Sequence, residues 1–136
     1  MKGQRRHPDL PMGFTLIEMS IVIFLLIALM STGFFFSNAI STWKAGREGS
    51  EILRSVYVAQ RTYLADNPTT PVGSLTQAKL LPYLPDKANT FPQVKGLDGT
   101  MRSIKVTVSP PVVLEAGGGV YDPSGSSSDS LWDVGE

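Results

Sequence analysis

The chain has 136 residues, 12 basic against 12 acidic, with one histidine and no cysteine. Zero net charge gives no general attraction to nucleic acid or anionic surfaces, and the lack of cysteine rules out a disulfide staple and acylation of a thiol. With the one histidine at His7 and no phosphate-binding glycine loop, the chain has no catalytic constellation, so an enzyme is not expected.

Residues 1–13 carry Lys2, Arg5 and Arg6 against Asp9. Basic residues flanking a membrane span stay in the cytoplasm, which puts the N-terminus inside and the chain beyond Phe36 outside. His7 has no assigned role.

Gly13-Phe14-Thr15-Leu16-Ile17-Glu18-Met19-Ser20 opens an apolar run that lasts to Phe36. Phe14 to Phe36 is about 23 residues, enough at roughly 1.5 Å per residue to cross a hydrocarbon core of roughly 30 Å as a helix. Glu18 is the only charge in it. A carboxylate in a span costs about 2.5 to 3.5 kcal/mol at the bilayer centre and less near the interface, so Glu18 calls for a compensating partner. An ordinary secretory signal peptide is the competing assignment, and Ser37-Asn38-Ala39 offers it a small-x-small cleavage site. Against it, the run exceeds the roughly 7 to 15 residues of such a peptide's apolar region and contains Glu18.

Glycine, phenylalanine and glutamate at this spacing before an apolar run resemble the class III signal of type IV pilins and of the pseudopilins of type II secretion. The resemblance implies a leader over 1–13, cleavage between Gly13 and Phe14 by a prepilin peptidase, and N-methylation of Phe14. It makes Glu18 the acidic fifth residue of the processed chain and, with Phe14, an assembly residue. The cut exposes an α-amino group with an ordinary pKa of about 7.7 to 8. In a head-to-tail array Glu18 of one subunit meets the Phe14 ammonium of the next, a pair that sets register more than it adds stability. Such a heterologous contact, if its rotation does not close, builds a helical filament.

The resemblance further implies a single-pass protein of the bacterial inner membrane with an exported head. Its partners would be membrane lipid, the peptidase and methyltransferase, an inner-membrane assembly platform, and other pseudopilins. Many type IV pilins close a C-terminal loop with a disulfide, so the missing cysteine favours a pseudopilus subunit over a major or minor pilin. A DNA-uptake pilin would want clustered cations beside stacking aromatics, whereas Lys79, Lys87, Lys95, Arg102 and Lys105 are scattered. Nucleic acid is therefore not expected as a partner, and a membrane-anchored binding domain is a further alternative.

The fold class expected is α+β and pilin-like. A long N-terminal helix would span the membrane over 14–36 and continue as an exported amphipathic half over 37–67, and a small antiparallel sheet would pack on that second half. Ile52, Val56, Ala59 and Tyr63 recur at helical spacing with Leu53, Tyr57 and Leu64 beside them, and form the packing stripe. Arg47, Glu48, Glu51, Arg54 and Arg61 fall elsewhere and are expected in solvent, with Arg47 and Glu51 spaced to pair. Gly33, Gly46 and Gly49 read as interruptions of helix propensity. Asp66-Asn67-Pro68 ends the helix, with Asn67 suited to a left-handed turn.

In the head, 68–136, Ser74 to Leu81 reads as a serine-capped helix stopped by Pro82. Phe91 to Lys95 reads as a strand, 97–100 as a turn, and Arg102 to Ser109 as a strand with Ile104, Val106 and Val108 inward. Val112-Val113-Leu114 is the return strand, and Gly117-Gly118-Gly119 breaks it before Val120-Tyr121. From Tyr121 the chain is rich in acids and serines ahead of Trp132. This is similar to the C-terminal loop of major pseudopilins, which binds calcium, and implies Asp122 and Asp129 as candidate metal ligands. No other cofactor is expected. The alternative is a flexible polar loop over 123–130 with Trp132 folding back on the sheet or marking a contact.

Overall fold

The computed structural model describes Gly3, residues 13–85 and residues 89–135. Lys2, Arg5, Arg6, His7 and Asp9, and Lys87 in the head, lie outside the described residues. The chain divides into two compact units, Met1–Asn38 and Ala39–Glu136. One helix, α1 (Leu16–Asp66), contributes to both.

In the first unit every described residue from 13 to 38 is exposed, and the apolar stretch of α1 is long enough to cross a membrane. Three of its hydroxyls bond back into their own turn: Ser20 donates to Leu16 O at 2.8 Å, Ser31 to Ile27 O at 2.9 Å and Thr32 to Ala28 O at 2.9 Å. The helix continues unbroken through Gly33.

The second unit begins within α1, whose packed face is Gly46, Gly49, Ser50, Leu53, Val56, Ala59 and Gln60. Ile52, Tyr57, Tyr63 and Leu64 only flank it, so the stripe is rotated from the one the aliphatic pattern predicts. The reason lies in what the face must receive. A Cβ on Gly46 would stand 2.9 Å from Trp132 Cζ3, and one on Gly49 2.9 Å from Val94 Cγ1. These two glycines form a notch, and the interruption of helix propensity is offset by close packing. Asn67 ends the helix without a left-handed turn. Its backbone N–H (2.9 Å) and its side-chain amide (3.0 Å) both donate to Tyr63 O.

After the helix, a 3-10 turn at Val72–Ser74 precedes α2 (Gln77–Leu80), and a second 3-10 turn covers Leu81–Tyr83. Ser74 is no cap: its hydroxyl donates back to Pro71 O at 2.9 Å, and the N-cap of α2 is Thr76, which makes no side-chain cap bond. Pro82 lies inside the second turn, at its first positions, where a missing N–H costs nothing. Leu75, Leu80 and Leu84 are buried and fix this segment to the core.

Four short strands follow: β1 (Val94–Lys95), β2 (Met101–Arg102), β3 (Ile104–Lys105) and β4 (Val112–Val113). β1 pairs antiparallel with β2 and β3 with β4, in two two-stranded sheets with Ile104 opposite Val113. An antiparallel bridge from Leu114 to Val120 continues the second pairing across the glycine turn. The strands are shorter than the alternation suggests, and β1 covers only the end of the expected Phe91 to Lys95 run. Past Lys105 the prolines at 110 and 111 bring no N–H to a ladder. Gln60 supplies one from the helix instead: its amide donates to both Val106 O and Val108 O at 2.9 Å. Val94, Ile104, Val106 and Val113 are buried with Leu53, Val56 and Ala59, completing the α+β head.

Candidate functional site

Two places in the chain concentrate polar atoms that secondary structure alone does not require: the start of α1 and the segment 121–135. At the first, Thr15-Leu16-Ile17-Glu18 forms a capping box. Glu18 N–H donates to Thr15 Oγ1 at 3.2 Å, and Thr15 N–H donates to Glu18 Oε2 at 3.4 Å. Thr15 O accepts the first helical bond, from Met19 N–H, so Thr15 is the cap residue. Glu18, at the positive end of the helix dipole, therefore has a local task in addition to the assembly role expected for it. Gly13 and Phe14 lie just before the box, exposed, Phe14 at 75%. The threonine was legible as an S/T-x-x-E pattern.

At the second place, Trp132 is 2% exposed and fills the glycine notch. Its backbone N–H donates to Gly46 O at 3.1 Å, and it folds back into the buried cluster that the helix shares with the strand residues Val94, Ile104 and Val113. Its ring meets Tyr121 edge to face at 6.1 Å. The Arg102 guanidinium lies over the Tyr121 ring, 3.9 Å from its centroid, and the Tyr121 hydroxyl accepts the Leu97 N–H at 2.8 Å. Ser130 and Trp132 both adopt positive φ, a strained conformation that this packing and the Arg54 bonds hold in place. Arg54 is half-buried and not solvated as expected. It donates from Nε to Val134 O at 3.0 Å and from NH2 to Ser130 Oγ at 2.8 Å.

The candidate ligands Asp122 and Asp129 lie in this segment. Asp122 Oδ1 accepts from the backbone and hydroxyl of Ser124. Asp129 Oδ1 and Asp133 Oδ2 share one donor, Leu131 N–H, at 3.0 and 3.3 Å. Burial, then the facing Asp129, pushes the Asp133 carboxyl above its ordinary value. Desolvation acts the same way on Asp129, but bonds with Asp133, the Leu131 N–H and Ser124 outweigh it and hold Asp129 low. Among the described residues no group of three or more metal-ligating acids, histidines or cysteines gathers around the two candidate ligands.

Charge on the head's exterior is arranged differently from the spacing prediction. Arg47 does not pair with Glu51; its guanidinium lies 5.8 Å from the Trp43 ring, one turn earlier. Arg102 and Asp98 make an ion pair at 2.8 Å. Bonds from Thr100, then Arg102 nearby, hold Asp98 below its ordinary value. Tyr83 donates to Asp66 at 3.0 Å, which raises the phenol. Comparison with known proteins finds no family model, no curated protein and no solved structure that matches this chain.

Proposed function

We propose that the chain is a structural subunit of a type II secretion pseudopilus, held in the bacterial inner membrane, cleaved between Gly13 and Phe14, methylated on Phe14 and built into a helical filament. The observation that carries this reading is the Thr15–Glu18 box at the head of a helix whose apolar first half is exposed along its described length. The box lies wholly after the proposed cut, so removal of the leader leaves the helix cap intact. Thr15 takes one carboxylate oxygen of Glu18, and the other is left for the Phe14 ammonium of a neighbour. The exposed apolar half gives the filament its core, and the missing cysteine favours a pseudopilus over a type IV pilus.

The test is intact mass and N-terminal analysis of membrane-extracted protein, from hosts with and without the prepilin peptidase, alongside Glu18→Ala. The expected result is a chain that begins at N-methylated Phe14 only when the peptidase is present, with Glu18→Ala processed but not assembled. A chain that begins at Met1, or after Ala39, overturns the reading.

A further inference from the structure

The hairpin that joins β1 to β2 turns at Gly99, which has a φ of +80°, and its tip lies against α1. Between them is a groove of about 520 Å³ lined by Ser41, Lys44 and Glu48 from the helix and by Lys95, Leu97 and Asp98 from the hairpin. Asp98 is fully engaged by Thr100 and Arg102. Lys44, Lys95 and Glu48 are exposed and, among the described residues, form no ion pair, although they line one groove with opposite charges. Two cations and one free carboxylate in a shared groove fit a ligand that carries both an anion and a cation.

The surroundings say where such a ligand comes from. Ser41 follows Phe36 by only five positions in the same helix. Trp43, next to Lys44, is 56% exposed, and Leu97 at the hairpin tip is 48% exposed beside Lys95. Exposed tryptophan next to lysine and arginine, directly after an apolar span, is the arrangement of a membrane–water interface, where indole sits at headgroup depth and cationic side chains reach phosphate. We infer that this groove seats a phospholipid headgroup of the phosphoethanolamine class, its phosphate on Lys44 and Lys95 and its ammonium on Glu48, so that the head is docked on the outer membrane–water interface before assembly. The inference rests on the membrane-anchored part of the reading above.

The full chain in nanodiscs of phosphatidylethanolamine and phosphatidylglycerol tests it. Headgroup-spin-labelled phosphatidylethanolamine is expected to quench the emission that wild type shows and Trp43→Phe lacks. After transfer to detergent, native mass spectrometry is expected to find phosphatidylethanolamine retained by wild type and by Lys105→Gln. In the double variant Lys44→Gln, Lys95→Gln that retention falls by at least about tenfold, since both charge-assisted contacts to the phosphate are lost. Glu48→Gln lowers retention of phosphatidylethanolamine but not of phosphatidylglycerol. A chain that does not co-elute with nanodiscs removes the anchored reading and the inference with it. A chain that co-elutes, but whose Trp43 is unquenched or whose lipid retention ignores the lysines, overturns the inference and leaves the anchor standing. Equal retention of both lipids in wild type and Glu48→Gln overturns the zwitterionic assignment.

Discussion

The two halves of α1 share one backbone conformation and differ in what their side chains are shaped to meet. Up to Asn38 the side chains are mostly large and apolar and every described one is exposed, so the apolar ones are useful only to whatever covers them. From Ala39 the packed face is built of glycine, serine, alanine and one buried glutamine among its leucine and valine, because it has to admit a tryptophan, two strands and two carbonyls. Apolarity without shape suits a fluid or repeating surround. Shape with modest apolarity suits a single fixed partner.

The contrast is sharpest at Trp132. Truncation of a buried tryptophan costs about 3 to 5 kcal/mol, so Trp132→Ala should abolish or nearly abolish the cooperative unfolding transition of the head in detergent. Phe36→Ala in the other half should leave that transition where it is; equal effects would break the comparison. Glycine-to-alanine substitutions come next. Gly46→Ala sets a Cβ 2.9 Å from Trp132 and 3.0 Å from Leu131, and overpacking of this kind costs about 1 to 3 kcal/mol. At Gly33 a Cβ meets nothing within 4 Å, so Gly33→Ala should add up to about 1 kcal/mol of helix stability, read as higher thermal helicity by circular dichroism.

Gln60→Met, similar in volume, removes both donors and leaves Val106 O and Val108 O without them. The expected loss is about 1 to 3 kcal/mol by denaturant titration, and a neutral result would mean that water replaces the amide. The smallest effect is one of pH. Asp98, with a lowered carboxyl, stabilises the hairpin above its ordinary value of 3.8, and that contribution disappears as pH falls through the lowered value. Asp133, raised, has the opposite sign: its contribution is full below 3.8 and is lost as pH rises through the raised value. Acidification across the carboxylate range should therefore first tighten 129–134 as Asp133 takes its proton, and then loosen both 94–102 through Asp98 and 129–134 through the lowered Asp129, which amide exchange by NMR resolves. Asp133→Asn should remove the first effect and leave the second.

The long helix, its end near Pro68, the turn at 97–100 and the return strand at 112–114 were readable because each rests on a local signal: periodicity, a breaker, or glycine at a turn. What periodicity could not show was the register of the packed face. Gly46 and Gly49 read as flaws in a helix, and only the arrival of Trp132 from the far end of the chain gives them a purpose. Arg54 was placed in solvent for the same reason, since its partners Ser130 and Val134 lie 76 and 80 residues away. Gln60, a polar residue inside an apolar stripe, looks like a gap in the sequence because its carbonyl partners lie 46 and 48 residues away. At the start of α1, Thr15-x-x-Glu18 spells a capping box that was equally legible in the sequence, because its signal is also local.

The bond from Arg54 to Val134 O spans 80 residues, and its consequence is one of timing. A helix forms in about a microsecond, while ring closure of so long a segment carries a loop-entropy cost that only later contacts offset. The head should therefore pass through a state in which helix and hairpins exist and the glycine notch is still open. For as long as that state lasts, the chain shows two adhesive surfaces at once. Stopped-flow fluorescence of a Trp43→Phe chain, which reports Trp132 alone, should register closure of the notch as the slowest step; a Trp132 signal complete within the dead time would mean that the notch closes with the helix.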